Sequence, residues 1–460
     1  MSKKNDVKSA RLIEGSVGKI LFTLTIPMFF GIISIVAFNL VDTYFVSKLG
    51  LNELAAISFT FPVIMMVNNL ALGLGIGVSA VVSRAIGEGN HHKVQELTTD
   101  SLLFTLLLAV VFTIAGILTI DPLFRLLGAD SEILKLIKEY MYIWYLGIVF
   151  VFIPMVGNNA IRAQGDTITP SAIMLISVFF NLILDPLLIF GIGIFPRMEL
   201  TGAAIATVIA RAASLFLYLF VVLFKYKMIT FELPTLSRVF SSWKYVLFIG
   251  LPSAGTRIIL PISTGVVTRI ISSYGPEAVA AFGVGTRIEF FTLAAVMALA
   301  SVLGPFVGQN WGAGKLDRVK LGIKKSVKFS NIWGLAAFII LALAAKPIAL
   351  LFSTDLKVVS STVLYLRIVP LGFGLAGALL LATIALNVLH RPLHAALLSI
   401  IQMFALYVPL VFAGSFLYGI PGIFGGITIA YILSGIISYM VLKNILKKES
   451  LKTTGIEAAR

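Results

Sequence analysis

The feature that most constrains this chain is a series of apolar stretches, each about 20 or more residues long, that recurs from end to end. A helix of that length crosses a hydrocarbon core of ~30 Å. Twelve are read, at about 18–46, 52–80, 99–120, 139–162, 170–195, 201–224, 244–272, 277–308, 327–352, 360–389, 393–416 and 422–446. Backbone polar groups in lipid must be satisfied within the chain itself, so these runs are expected to be helices. Composition agrees: 58% of the 460 residues are hydrophobic and 12% are charged, against about a quarter charged in soluble domains. The polar start MSKKNDVKSARLIEGSVGK leads straight into a full-length span, without the short apolar core and small-residue cleavage site of a secretory signal. The absence of cysteine excludes disulfides and thiol or Cys-based metal chemistry. His91, His92, His390 and His394 fall in short loops and read as loop residues rather than metal ligands.

The net charge of +15 raises the question of nucleic acid, but its distribution points to membrane orientation instead. With the N-terminus and alternate loops assigned to one side, that side holds 24 Lys and Arg and the other 7, with five Arg within or at the edges of spans. By the positive-inside rule both termini are expected in the cytoplasm. Runs such as KLDRVKLGIKKSVK (315–328) then become anchors near anionic headgroups, and no nucleic-acid partner is expected.

The chain also matches itself without a gap at an offset of 225, from Pro27 past Gly89. Pro27 falls on Pro252, Ser47 on Ser272, Gly50 on Gly275 and Val82 on Val307, and GEGN (87–90) overlays GAGK (312–315). Six spans per half, an even number, leave both copies in the same orientation. The expected fold is an all-α integral membrane protein: twelve transmembrane helices in two six-helix lobes related by a pseudo-two-fold axis along the membrane normal. Residues 1–224 would form the N-terminal lobe, 225–243 a cytoplasmic linker, 244–446 the C-terminal lobe and 447–460 a cytoplasmic tail. Two such bundles with a cavity between them suit alternating access.

Three carboxylates lie well inside spans: Asp42, Asp185 and Glu289. An intramembrane acid costs roughly 2.5–3.5 kcal/mol by insertion scales, so it persists only if paired, hydrated or used. Asp42 maps on Val267 and Glu289 on Ile64, so the halves share a frame but not their acids. Asn181 precedes Asp185 by four residues and shares its helical face; Pro186 frees a carbonyl beside it. Thr207 lies at a matching depth in the next span. Two carboxylates, a carboxamide and a hydroxyl at one depth suit a hard cation or a shared proton. Against that stand plain structural roles: a hydrogen bond to a neighbouring span for Asp42, and satisfaction of freed backbone for Asp185. Glu289 reads as a structural ion pair with Arg257 or Arg269, because Arg287 points elsewhere on the helix. Pro27 and Pro252 are either hinges or static kinks.

Taken in order and spacing, NLVDTYFVSKLG…LAA, the GEGN and GAGK loops, IRAQGDTITP (161–170) and NLILDPLLIF…TGAAIAT resemble the multidrug and toxic compound extrusion (MATE) family over essentially the whole chain, most closely its DinF-like branch. The resemblance implies an antiporter in the cell membrane, expected as a monomer. It would export small organic, often cationic amphipathic compounds such as drugs and dyes, with lipids as a further class, in exchange for H+ or Na+ and without a cofactor. It also implies a cation site, with Na+ as its metal if one is bound, at Asp42, Asn181, Asp185 and Thr207. Asn158 stands close by, and Pro27 in a supporting position. Other branches carry acids in the seventh and tenth spans; here those spans have none, which argues against a cation site in the C-terminal lobe. Rival functions are a flippase for lipids or lipid-linked oligosaccharides and, lacking any catalytic motif, a membrane enzyme.

Overall fold

The structure, a computed structural model, describes residues 12–232 and 234–458. The start of the N-terminal segment expected in the cytoplasm, residues 1–11, lies outside the described residues, as do 459 and 460 at the end of the tail. Among the described residues there are helices and turns but no strand. In chain order the helices are α1 Val17–Ser47, α2 Leu51–Gly87, α3 His91–Leu126, α4 Ser131–Leu146, α5 Ile148–Ala163, α6 Ile168–Phe190 and α7 Glu199–Phe220. They continue with α8 Leu236–Ser272, α9 Pro276–Gly312, α10 Leu316–Leu343, α11 Ala345–Phe352, α12 Leu356–Ile368, α13 Phe373–Val388, α14 Pro392–Ile400 and α15 Val408–Ala458.

Ten of these helical stretches are long and apolar enough to span a membrane, and α4 with α5, bent by 50°, makes an eleventh. The last stretch, Pro392–Leu451, is too long for one crossing. It is turned at Gly419, whose φ of 63° and ψ of −139° no helix contains, so it holds two spans and the described residues hold twelve. The fourth span starts earlier than the hydropathy suggests, because Asp130 caps α4 by accepting from the N–H groups of Glu132 and Ile133. The seventh does too: α8 begins at Leu236, inside the stretch expected to be linker.

The internal repeat is visible in the element boundaries. Helix α2 starts at 51 and α9 at 276, α3 at 91 and α10 at 316, α4 at 131 and α12 at 356, α5 at 148 and α13 at 373; every pair keeps the offset of 225 found in the sequence. The turn after each second span closes on a glycine in the left-handed region, Gly89 (φ 72°) and Gly314 (φ 71°), a conformation in which a Cβ is strained.

The residues divide into two compact units. Unit one comprises Ile26–Ala254; unit two comprises the chain from Gly255 onward with the segment that ends at Thr25. In unit one α3 shows the inverted amphipathicity of a lipid-facing helix. Leu103, Leu106, Leu107, Val110, Val111, Ile114 and Leu118 form one exposed stripe, while Phe104, Ala109 and Ile120 on the other face are buried. The core of unit one gathers Tyr140, Met141, Trp144 and Phe152 around Val46 and Ala71. That of unit two gathers Phe282, Tyr365, Phe424 and Tyr431 around Val267.

Candidate functional site

The carboxyl cluster of unit one rests on the packing of α6 against α7. Gly202 brings α7 so close to α6 that a Cβ there would lie 2.5 Å from the Leu188 carbonyl oxygen, an approach that only glycine permits. Toward the other end of the pair the Ser177 hydroxyl donates to the Ala210 carbonyl at 3.1 Å. These two anchors hold Thr207 between them, at the level of Asn181 and Asp185. Asn181 Nδ2 donates to Asp185 Oδ1 at 2.9 Å, an i,i+4 bond in a fully buried setting.

Helix α1 docks on the same α6. Ser171 meets Met28 and lies under Gly31 at one end; at the other the Phe45 and Phe190 rings meet edge to face, centroids 6.3 Å apart. Asp42, one turn before Phe45, is thereby placed where its charge acts on Asp185. Three of the four expected ligand residues keep a buried oxygen without a hydrogen-bond partner: Asp42 Oδ1, Asp185 Oδ2 and Thr207 Oγ1. Asn181, the fourth, is fully buried and bonded to Asp185. Unmet oxygens on two acids and a hydroxyl fit a proton or a hard monovalent cation.

Two residues of this cluster were not read from the sequence. Arg211, one turn after Thr207, carries a positive charge that acts on Asp42 and lies over the Phe38 ring at 5.1 Å. Tyr140, buried on α4, is electrostatically coupled to Asp42, Asp185 and Arg211 and stands beside Thr207 without hydrogen-bond geometry. The signal for Arg211 was in plain view, four residues after Thr207 in TGAAIATVIAR. Asn158 is buried on α5 with Oδ1 unpartnered, and no described interaction joins it to the two acids. Pro27 lies inside α1, fifteen residues and so about 22 Å before Asp42, away from the cluster.

Glu289 departs from the reading as an ion pair. Neither Arg257 nor Arg269 bridges it; Tyr365 donates to Oε2 at 2.6 Å and Tyr431 to Oε1 at 2.7 Å. The tyrosines win because Gly285, one turn before Glu289, lets the Tyr365 ring lie against α9: a Cβ there would meet that ring at 2.6 Å.

Polar locks hold the helix ends of unit one outside the spans. Asp166, in the turn between α5 and α6, is buried, which raises a carboxyl's pKa. Bonds from the Thr169 hydroxyl and N–H, the Tyr226 hydroxyl and the Lys225 ammonium outweigh this and hold it down at about 2. Buried Asp100 on α3 accepts from Ser242 at 2.7 Å and its carbonyl from the Trp243 indole at 2.8 Å, with Arg238 between it and Glu96. His92, in the first turn of α3 rather than a loop, stands between Glu96 and Glu232.

Twelve spans, a two-copy helical frame and a carboxyl cluster inside the apolar layer are the frame of a polytopic membrane transporter. The profile of the MatE family matches residues 27–187 and again 252–413, starting points 225 apart. The chain belongs to the MATE family of transporters. It is 39% identical over 443 residues to a protein of Shewanella oneidensis named FAD transporter, covering 96% of this chain and 98% of that one. It is 25% identical over 436 residues to the multidrug export protein MepA of Staphylococcus haemolyticus, covering 94% of each. Among solved structures, the Vibrio cholerae MATE transporter VcmN in its bent form superposes with a TM-score of 0.90 at 30% identity, over 95% of this chain and 98% of that one.

Proposed function

We propose that the protein is a cation-coupled exporter, with Asp42, Asn181, Asp185 and Thr207 holding the coupling ion. The observation that carries this reading is the acid pair of unit one, in which the charge of Asp42 acts on Asp185 and an oxygen of each acid, like the Thr207 hydroxyl, is buried without a hydrogen-bond partner. In such a transporter the inward-moving ion and the outgoing substrate favour different conformations, each shifting the equilibrium only by its differential affinity. Both H+ and Na+ suit the ligand set. The Lys and Arg asymmetry of the loops supports a plasma-membrane orientation with both termini in the cytoplasm.

The substrate we favour is a flavin dinucleotide, which carries a pyrophosphate. The relative named FAD transporter is 39% identical, whereas the relatives named for multidrug export stand at 25–28%. A half-buried arginine inside a span, Arg257, forms no ion pair among the described residues and supplies positive charge that a cationic drug would not need. Export of cationic dyes is the second reading, supported by the names of the multidrug relatives.

Proteoliposomes with imposed H+ or Na+ gradients test both. FAD uptake that follows one gradient, and fails in Asp42→Asn and Asp185→Asn, supports the first reading. Ethidium movement without FAD movement selects the second. Flipping of fluorescent lipid with neither substrate moving overturns the exporter reading in favour of a flippase.

A further inference from the structure

Unit two has its own intramembrane acid, half-buried Glu289, and the internal repeat shows what it corresponds to. Tyr365 on α12 and Tyr140 on α4 differ by 225, the offset that relates their two helices from the first residue. Each tyrosine interacts with the intramembrane acid of its own half, Tyr140 with Asp42 and Asp185, Tyr365 with Glu289. The acid itself has changed helix. Where the first half has Asp42 the second has buried Val267, and where the second has Glu289 the first has Ile64. Both halves therefore build a carboxyl centre around the same tyrosine position from different helices.

We propose that Glu289, Tyr365 and Tyr431 form a second protonation centre, in which Glu289 binds and releases a proton independently of the unit-one cluster. The chemistry of its partners carries the argument. A carboxylate locked in one charge state is matched by Arg or Lys, which only donate; Glu289 is held at both oxygens by phenol hydroxyls, which donate or accept by rotation. With Glu289 ionised, both tyrosines donate to it. When a proton is added at one oxygen, the tyrosine facing it turns to accept, and the other keeps donating. Each carboxyl oxygen keeps a hydroxyl partner in either state, so the acid gains and loses its proton without either of its oxygens being left unsatisfied. A sodium ion fits less well, since both carboxylate oxygens already face hydroxyl donors and no other buried oxygen ligand is described beside them.

The surroundings contain no permanent countercharge. Helix α9 packs against α10, α12 and α13. The sequence of α13 has no titratable residue, that of α10 has none after Lys328, and α12 offers Tyr365, with Arg367 exposed and Lys357 in its first turn paired with Glu277. From the far side come Tyr431 and Tyr407, stacked with centroids 5.9 Å apart; Tyr407 is coupled to Glu289 without bonding to it. Arg287, two residues away, is exposed on another face, and Arg257 and Arg269 make no bridge to Glu289. Phe282 and Phe424 close the centre edge-on against Tyr365.

This adds a proton site to the exporter reading, yet its test needs no transport. The carboxyl C=O stretch of the purified protein in nanodiscs is followed by infrared difference spectroscopy from pH 5 to 9. The background is the Asp42→Asn, Asp185→Asn double variant, which removes the unit-one acids. A titrating carboxyl band is expected to persist there, to vanish on addition of Glu289→Gln, and to shift its proton affinity at least threefold in Tyr365→Phe or Tyr431→Phe, which keep the acid and the ring. A band that Glu289→Gln does not remove, or one that neither tyrosine variant moves, overturns the proposal. Loss of transport in the double variant with the band intact would confine the coupling ion to unit one and leave the second centre standing.

Discussion

The two carboxyl centres occupy corresponding places in the repeat and are built on opposite principles. In unit one two acids and an arginine act on one another through their charges, and three oxygens are left without partners. In unit two a single acid stands among neutral tyrosines, and both its oxygens are bonded. The first arrangement gathers charge and leaves coordination unmet, as a site for an arriving ion does. The second meets every bond and leaves only the charge state free. A duplicated scaffold thus fixes where a polar centre stands in the apolar layer, while each copy chooses its own ligands.

The strongest way to break this comparison is to neutralise one centre at a time. Asp42→Asn and Asp185→Asn should each lower gradient-driven transport by two orders of magnitude or more while the protein remains folded and inserted. An amide removes the titratable charge at nearly constant volume. Flux assays on purified variants check this, and near-normal flux in both would reduce the unit-one acids to a packing role.

Arg211 offers a finer cut within the same centre. Arg211→Met should lower coupled flux by about tenfold, with Arg211→Lys retaining most of it, because the proposed site relies on a positive charge acting on Asp42. If Met and Lys behave alike, the contact of the guanidinium with Phe38 matters and its charge does not.

In unit two Gly285→Ala tests whether Tyr365 must lie against α9. The added methyl meets the ring at 2.6 Å, and overpacking of this kind costs about 1–3 kcal/mol. A melting temperature lowered by a few degrees is expected, with the Glu289 band displaced. Gly283→Ala, where a Cβ meets nothing within 4 Å, should change neither.

The smallest effect concerns the lock at Asp166. Its carboxyl is held at about 2, against about 3.9 in an unfolded chain. A depressed acid contributes stability that is complete above the unfolded value and is lost as pH falls through the folded one. The contribution is roughly 2 kcal/mol. Asp166→Asn should therefore be less stable at pH 7, and the gap should close between about pH 4 and 2. Thermal melts of both proteins across that range check the sign; a gap that widens toward acid would contradict it.

Much of the fold was legible before any coordinates. The apolar runs gave the spans, because lipid leaves a chain no other way to satisfy its backbone. The offset of 225 reappears at the start of four helix pairs, since a duplicated frame keeps its capping and turn residues. The site was legible in part. Asn181 and Asp185 could be joined by counting one helical turn, a local relation that periodicity carries. Helix ends were less legible, as the early starts of α4 and α8 show, because caps and tertiary locks such as Asp100 with Trp243 decide them.

What the sequence by itself determined was the medium, the span count, the repeat and which residues violate the apolar rule. Only the tertiary structure decided which neighbours those residues meet. Asp42 could not be assigned to Arg211 and Tyr140, nor Glu289 to Tyr365 and Tyr431 instead of an arginine, from spacing alone. Those partners lie on other helices, 76 and 142 residues away from Glu289 for its two hydroxyl donors. Which of them reaches the acid depends on where a glycine lets two helices close, as Gly285 does for Tyr365. Contact across helices is set by packing volume, and the sequence states volumes one residue at a time.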